Sequence, residues 1–114
     1  MRIGIIGVAV AVATIGSAAL AADRNAARAI AAGDYVQAER MLQAERRIFP
    51  KRAELMLNLA AVYRQTGRDA DARALYADVL KRDSVEMDLL DERTVSSHTI
   101  AAKGLARLSQ VAAK

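Results

Sequence analysis

The sequence has 114 residues, of which 17 are basic and 13 acidic, with one histidine, no cysteine and a net charge of +4. A chain of this length forms one small domain at most, and that domain must be stable without disulfides. Charges of both signs are interspersed and basic residues are not interleaved with aromatic ones, which argues against a nucleic-acid partner.

The first 21 residues have the composition of a secretory signal peptide. After Arg2 no charged residue occurs until Asp23, and the stretch between them is apolar at first and then rich in small residues. Ala19 and Ala21 place small side chains at the two positions that a signal peptidase requires. We therefore predict a signal peptide at 1–21 and an exported protein, periplasmic in a host with two membranes. The alternative is an uncleaved anchor in the inner membrane, since about 20 uncharged residues can span a bilayer.

Apolar spacing predicts four helices in the next segment, over about 23–32, 34–48, 51–66 and 69–82. Gly33 and Gly67 would end the first and third helices in the left-handed conformation that glycine adopts most easily. Pro50 separates the second helix from the third and would open the latter. The fourth helix has the most regular apolar stripe, consisting of Ala72, Leu75, Tyr76, Val79 and Leu80.

The segment 85–114 has a different pattern. Apolar and polar residues alternate from Val85 to Leu89, which predicts a short β-hairpin or extended arm at about 85–97. Ser96 or Ser97 would then cap a last helix over about 98–112, in which Gly104 is a weak point. The apolar stripe of this helix contains Ile100, Ala101, Leu105, Leu108 and Val111.

The helix punctuation repeats with a period of 34 residues, since Gly33 corresponds to Gly67 and Ala38 to Ala72. This period, with the small and large residues spaced through 53–84, resembles the tetratricopeptide repeat family. The resemblance covers roughly residues 23–84 and implies an all-α fold with two helix–turn–helix units at 22–84. Because two units leave an apolar face open, we expect the segment 85–114 to supply a C-terminal capping helix that packs on the fourth helix.

The resemblance also implies a function as a protein-interaction scaffold. In that family the first helix of each unit lines a concave groove that holds an extended or helical peptide. The matching positions here are Leu57, Asn58, Ala61, Arg64 and Gln65. Asn58 would bond the backbone of a protein or peptide partner, and Arg64 would bind a carboxylate through its guanidinium. The sequence predicts no oligomeric state.

Enzymatic chemistry is not expected. Ser96, Ser97 and His98 are adjacent in sequence, a spacing that rarely gives catalytic geometry, and helix capping explains them better. One histidine without cysteine cannot form a four-ligand metal site. The carboxylates within 83–92 lack the ligand spacing of a calcium loop. We therefore predict no catalytic residue, no metal ligand and no cofactor.

Overall fold

The computed structural model describes residues 17–112 of the chain, and side chains from residue 24 to residue 110. The predicted signal peptide lies mostly outside these residues, as does the side chain of Val111. Within them the chain forms five helices and a two-stranded antiparallel sheet, and an all-α repeat fold is thereby confirmed. The elements are α1 (Ser17–Ala31), α2 (Tyr35–Ile48), α3 (Ala53–Gln65), α4 (Asp69–Lys81), β1 (Glu86–Asp88), β2 (Thr94–Ser96) and α5 (Ser97–Ala112).

Helix α1 extends further toward the N-terminus than predicted, since the described chain is already helical at Ser17, six residues before Asp23. Most of the residues between these two positions are alanine, which has the highest intrinsic helix propensity, so Asp23 does not act as the start of the helix. As a result, α1 passes without interruption through the predicted cleavage position after Ala21. Pro50 also differs from the prediction, since it lies in the turn before α3, which begins at Ala53.

The 34-residue period is visible in the backbone. Gly33 and Gly67 have φ angles of 81° and 82°, in the left-handed region that both helix ends require. At each site the next amide donates a 2.8 Å hydrogen bond back to the helix, from Asp34 to Ala29 and from Arg68 to Tyr63. The two units therefore end their first helices with the same geometry.

Helix α3 is the centre of the core. It packs between α2 and α4 and also contacts α1 and α5. Consequently all eight residues from 55 to 62 are buried, and this helix has no wide polar face of its own. Burial on every side is the position expected for the first helix of an internal repeat, which has a neighbour on each side.

Polar contacts join the two units at the end of α3. Arg68 donates two hydrogen bonds to the Glu39 carboxylate of α2, and its guanidinium lies 4.4 Å from the centre of the Tyr63 ring. The hydrogen bond from Arg68 holds the pKa of Glu39 below its ordinary value. The Gln43 side-chain amide donates to the Tyr63 hydroxyl at 2.8 Å. These contacts fix the packing of the first unit against the second.

The predicted hairpin and capping helix are confirmed. Strands β1 and β2 are antiparallel, with buried Met87 opposite Val95. The Ser96 hydroxyl accepts a hydrogen bond from the Thr99 amide at 3.1 Å and so caps α5. Helix α5 packs chiefly on α4 and secondarily on α3, and it buries Ala101 and Leu108 completely. The apolar face left open by the second unit is thus covered.

Candidate binding site

A pocket of about 230 Å³ lies where α3, α4, the hairpin and α5 meet. We call it the hairpin pocket. Its walls come from two parts of the chain, the second repeat unit and the C-terminal hairpin with α5, and it therefore depends on the packing of the C-terminal segment on the second unit. Its lining residues are Leu57, Ala61, Arg64, Tyr76, Leu89, Arg93, Val95, Ile100, Lys103, Gly104 and Arg107.

Helical spacing brings the residues of two walls together. Leu57, Ala61 and Arg64 follow one another at steps of four and three residues, so they lie on one face of α3. On α5, Lys103 and Arg107 are four residues apart and present two cations side by side at the pocket. The pocket therefore has an apolar floor on α3 and a basic rim on α5.

The third wall is the turn of the hairpin. Leu89 donates its backbone amide to the Arg93 carbonyl at 2.9 Å, and Glu92 adopts a φ of 71° to close the turn. The Arg93 backbone amide and its Nε both donate to the Asp91 carboxylate. This bonding, led by the backbone amide, lowers the pKa of Asp91. The turn is thereby held in a shape that places Leu89 and Arg93 at the pocket.

Close approach of α5 to α4 forms the base of the pocket. A Cβ atom at Gly104 would lie 2.3 Å from Cζ of the Tyr76 ring, far inside van der Waals contact. Only glycine therefore allows α5 to pack on this ring, which is 2% exposed. The sequence marked Gly104 only as a weak position in a helix; the structure shows that it is required by packing.

The pocket is strongly basic. Among the lining residues between 24 and 110, for which side chains are described, four carry positive charge and none carries negative charge. Arg93 has an ion pair with Asp91, at 2.8 Å. Arg64, Lys103 and Arg107 have no ion-pair partner among residues 24–110, and the buried Nε of Arg64 has no hydrogen-bond acceptor there. Like charges gathered without a counter-charge favour the approach of an anionic group.

The five residues predicted to face a binding groove are distributed over different environments. Leu57, Ala61 and Arg64 line the hairpin pocket. Asn58 is 1% exposed and belongs to the interior, so its amide is not presented at the surface. Gln65 is exposed but does not line the pocket. Leu57 and Ala61, at 1% and 5% exposed, are buried as well, because neighbouring helices enclose this part of α3.

Sequence reasoning did not identify the part of the pocket supplied by the C-terminal segment. Arg93, Lys103 and Arg107 were not singled out, although the four-residue spacing of the last two indicates a basic ridge on a predicted helix. No local sequence pattern predicts that these residues lie close to Arg64, because their proximity arises from the packing of α5 on α3 and α4.

A second depression, of about 320 Å³, lies between α2, α3 and α4. Its lining contains one cation, Arg46, and two carboxylates, Asp71 and Asp78, together with Tyr63, Ala74 and Leu75. Since charges of both signs are present, this surface has less preference for a charged ligand than the hairpin pocket.

Ser96, Ser97 and His98 have structural contacts. Ser97 is fully buried, and its hydroxyl accepts the Val85 amide at 3.0 Å. Nε2 of His98 lies 2.7 Å from the Arg82 carbonyl, to which it donates, and so ties the start of α5 to the end of α4. In the part of the chain that the structure describes, no group of three or more metal-ligating side chains is found.

Paired antiparallel helices with a 34-residue period define a helical-repeat scaffold. The family model described as tetratricopeptide repeat matches residues 29–86, which is just over half of the 114 residues. The chain belongs to the tetratricopeptide repeat family. No curated protein and no solved structure matches it. The family match ends at the start of β1, so most of the hairpin and all of α5 lie beyond it.

Between residues 17 and 112, no helix has the length and hydrophobicity that crossing a bilayer requires.

Proposed function

We propose that this protein is an exported adaptor of the cell envelope, located in the periplasm, that binds a segment of a partner protein in the hairpin pocket. Tetratricopeptide repeat domains are non-catalytic scaffolds that generally bind protein partners. Export is supported by the signal-peptide composition of residues 1–21, with cleavage after Ala21.

The choice of the hairpin pocket as the binding site rests on one observation. Leu57, Ala61 and Arg64 line the same pocket, and their positions match those that face the binding groove in the family. The pocket combines apolar walls with a few charged groups at its edge, the arrangement typical of ligand sites. An apolar side chain of the partner would bind against the half-buried side chains of Leu89, Val95 and Ile100, and Arg64 would bind a carboxylate of the partner.

Site-specific photo-crosslinking in cells tests this function. A photoreactive amino acid would replace Val95, which lines the pocket, and in a matched control would replace Arg73, which is exposed on α4. We expect a discrete crosslinked protein from position 95 that is absent from position 73, identified by mass spectrometry. The same set of products from both positions, or none from position 95, would contradict the assignment of the pocket.

Export and cleavage have a separate test. The intact mass of the protein purified from its host should correspond to a chain beginning at Ala22, and the protein should be released with the periplasmic fraction. A mass that includes residues 1–21, together with recovery in the membrane fraction, would contradict cleavage.

A single observation favours a second candidate, a membrane-anchored subunit of an envelope complex that keeps its N-terminal segment. Helix α1 includes Ser17 and continues through the predicted cleavage position. A protease must bind its substrate in extended form, and cleavage therefore requires this part of the helix to unwind. The membrane-fraction outcome of the preceding experiment is the result expected for this candidate.

A further inference from the structure

We propose that the hairpin pocket selects an acidic segment of the partner, in which one large apolar side chain is flanked by carboxylates. The proposal rests on the proposed function and adds the chemistry of the bound segment. Two properties of the pocket carry it, namely its uncompensated positive charge and its size.

The charge argues for an acidic ligand. Arg64, Lys103 and Arg107 converge from α3 and α5 without an ion-pair partner among residues 24–110. A bound carboxylate would offset their mutual repulsion and would give the buried Nε of Arg64 an acceptor. Arg93 lies on the opposite wall, so carboxylates on either side of an anchoring side chain both meet a cation.

The size and the apolar walls argue for a peptide. The cavity of about 230 Å³ is smaller than the roughly 300–1,000 Å³ typical of sites for drug-sized molecules, and it suits a single side chain. Its walls include the half-buried apolar side chains of Leu89, Val95 and Ile100. An inorganic anion would leave these apolar groups uncovered. A peptide segment with an apolar anchor and acidic neighbours would contact both the apolar walls and the cations. This matches the usual arrangement of protein interfaces, in which a buried anchor is surrounded by a polar rim.

The position of the pocket indicates that the preference for an acidic segment is a property of this chain and does not come from the repeats alone. Helix α5 and the turn of the hairpin lie beyond residues 29–86, to which the family model is matched. They supply Arg93, Lys103 and Arg107, and without them Arg64 would be the only cation of the pocket. The departure from the repeat pattern after residue 84 is therefore what makes the pocket basic.

A displayed library of random 12-residue peptides tests the proposal. Cells that display the library would be sorted for binding to the purified parent protein alone, and the double variant Lys103→Glu/Arg107→Glu would be compared with it afterwards. Peptides enriched in this way would be synthesised with a fluorophore, and their Kd measured by anisotropy. The variant Arg40→Glu/Arg47→Glu is the matched control, since it makes the same change in charge at exposed positions of α2.

The enriched peptides should carry aspartate or glutamate on both sides of a leucine, isoleucine, methionine or aromatic residue. Replacing their acids by amides, or using the Lys103→Glu/Arg107→Glu variant, should each weaken binding about tenfold or more, because several charge pairs are lost together. The Arg40→Glu/Arg47→Glu variant should change Kd by less than about threefold. Raising the salt concentration should weaken binding to the parent protein.

Three results would overturn the proposal: a library with no excess of acidic residues, equal binding of the amide peptides, and equal loss in both double variants. Binding to vesicles of anionic phospholipid with no peptide enriched would assign the charge to a lipid surface and would also overturn it. The crosslinking experiment separates this failure from that of the proposed function. A non-acidic partner captured at position 95 would leave the adaptor function intact and exclude only the acidic preference.

Discussion

Replacing Gly104 by alanine tests how closely α5 approaches α4. The added Cβ would lie 2.3 Å from Cζ and 2.5 Å from Cε2 of the Tyr76 ring, whereas ordinary contacts are 3.4–4 Å. The helix must therefore move away by at least about 1.1 Å (3.4 minus 2.3), or the ring must change its rotamer. Tyr76 is 2% exposed, and it borders the hairpin pocket, so a change of rotamer would turn the ring out of its packed position toward that pocket.

Two opposing contributions, overpacking of the core and helix propensity, determine how much Gly104→Ala changes the free energy of unfolding. Overpacking a core costs about 1–3 kcal/mol, and a contact with the ring itself places Gly104→Ala near the upper end. Alanine is preferred over glycine in a helix interior by about 1 kcal/mol. The net loss in the free energy of unfolding should be about 2 kcal/mol. For a domain of this size, that corresponds to a fall in Tm of roughly 8–16 °C.

Urea unfolding followed by circular dichroism at 222 nm measures this change. Ala106→Gly, at an exposed position of the same helix, should cost about 1 kcal/mol and calibrates the propensity term. In a Tyr76→Leu background the ring is absent, so Gly104→Ala should become neutral or stabilising. A Gly104→Ala protein that is as stable as the parent, or more stable, would refute the close packing of α5 on α4.

Three further results are expected. Gly67→Ala should lower the free energy of unfolding by about 1 kcal/mol and Gly67→Asn by less. Gly67 has a φ of 82°, and asparagine tolerates this left-handed region better than alanine does. Equal effects of the two substitutions in urea unfolding would contradict the reasoning. Glu39→Gln should destabilise the protein at pH 7. The pKa of Glu39 is held below its ordinary value in the folded state by the hydrogen bond from Arg68, so this contribution is present above the ordinary glutamate pKa of about 4.3 and is lost as the pH falls through the folded-state pKa. Urea unfolding at a series of decreasing pH values should therefore show the largest difference between parent and variant at pH 7 and a progressively smaller one in acid, and a difference independent of pH would exclude the ion pair with Arg68 as its cause. Deletion of 98–114 should give an insoluble or unfolded product, because α5 covers the open face of the second unit. A cooperative melt near that of the parent would show instead that two units are stable alone.

The repeat fold was largely predictable because its signals are local. Apolar residues at helical spacing, left-handed glycines at 33 and 67 and the serine cap before α5 each act within a few residues, and the structure has helices where they predict them. The start of α1 was wrong because an alanine-rich segment contains no stop signal, and Asp23 alone does not impose one.

The candidate site was predictable only in part. The family resemblance predicts that Leu57, Asn58, Ala61, Arg64 and Gln65 face a groove, and three of these, Leu57, Ala61 and Arg64, line the hairpin pocket. Asn58 has the same helical spacing, but it is buried by neighbouring helices whose packing the spacing does not describe. Burial depends on which elements enclose a helix, and α3 is enclosed on every side.

The sequence by itself determined the helical units, their 34-residue period, the caps and the short hairpin, because propensity and hydrogen bonding act between residues close in the chain. Only the tertiary structure decided where α5 lies, why Gly104 must be glycine, and which cations converge with Arg64. Each of these features brings a residue of α5 beside a residue of α3 or α4 that is far from it in sequence. Packing alone brings their side chains together, and it gives this small repeat protein its basic pocket.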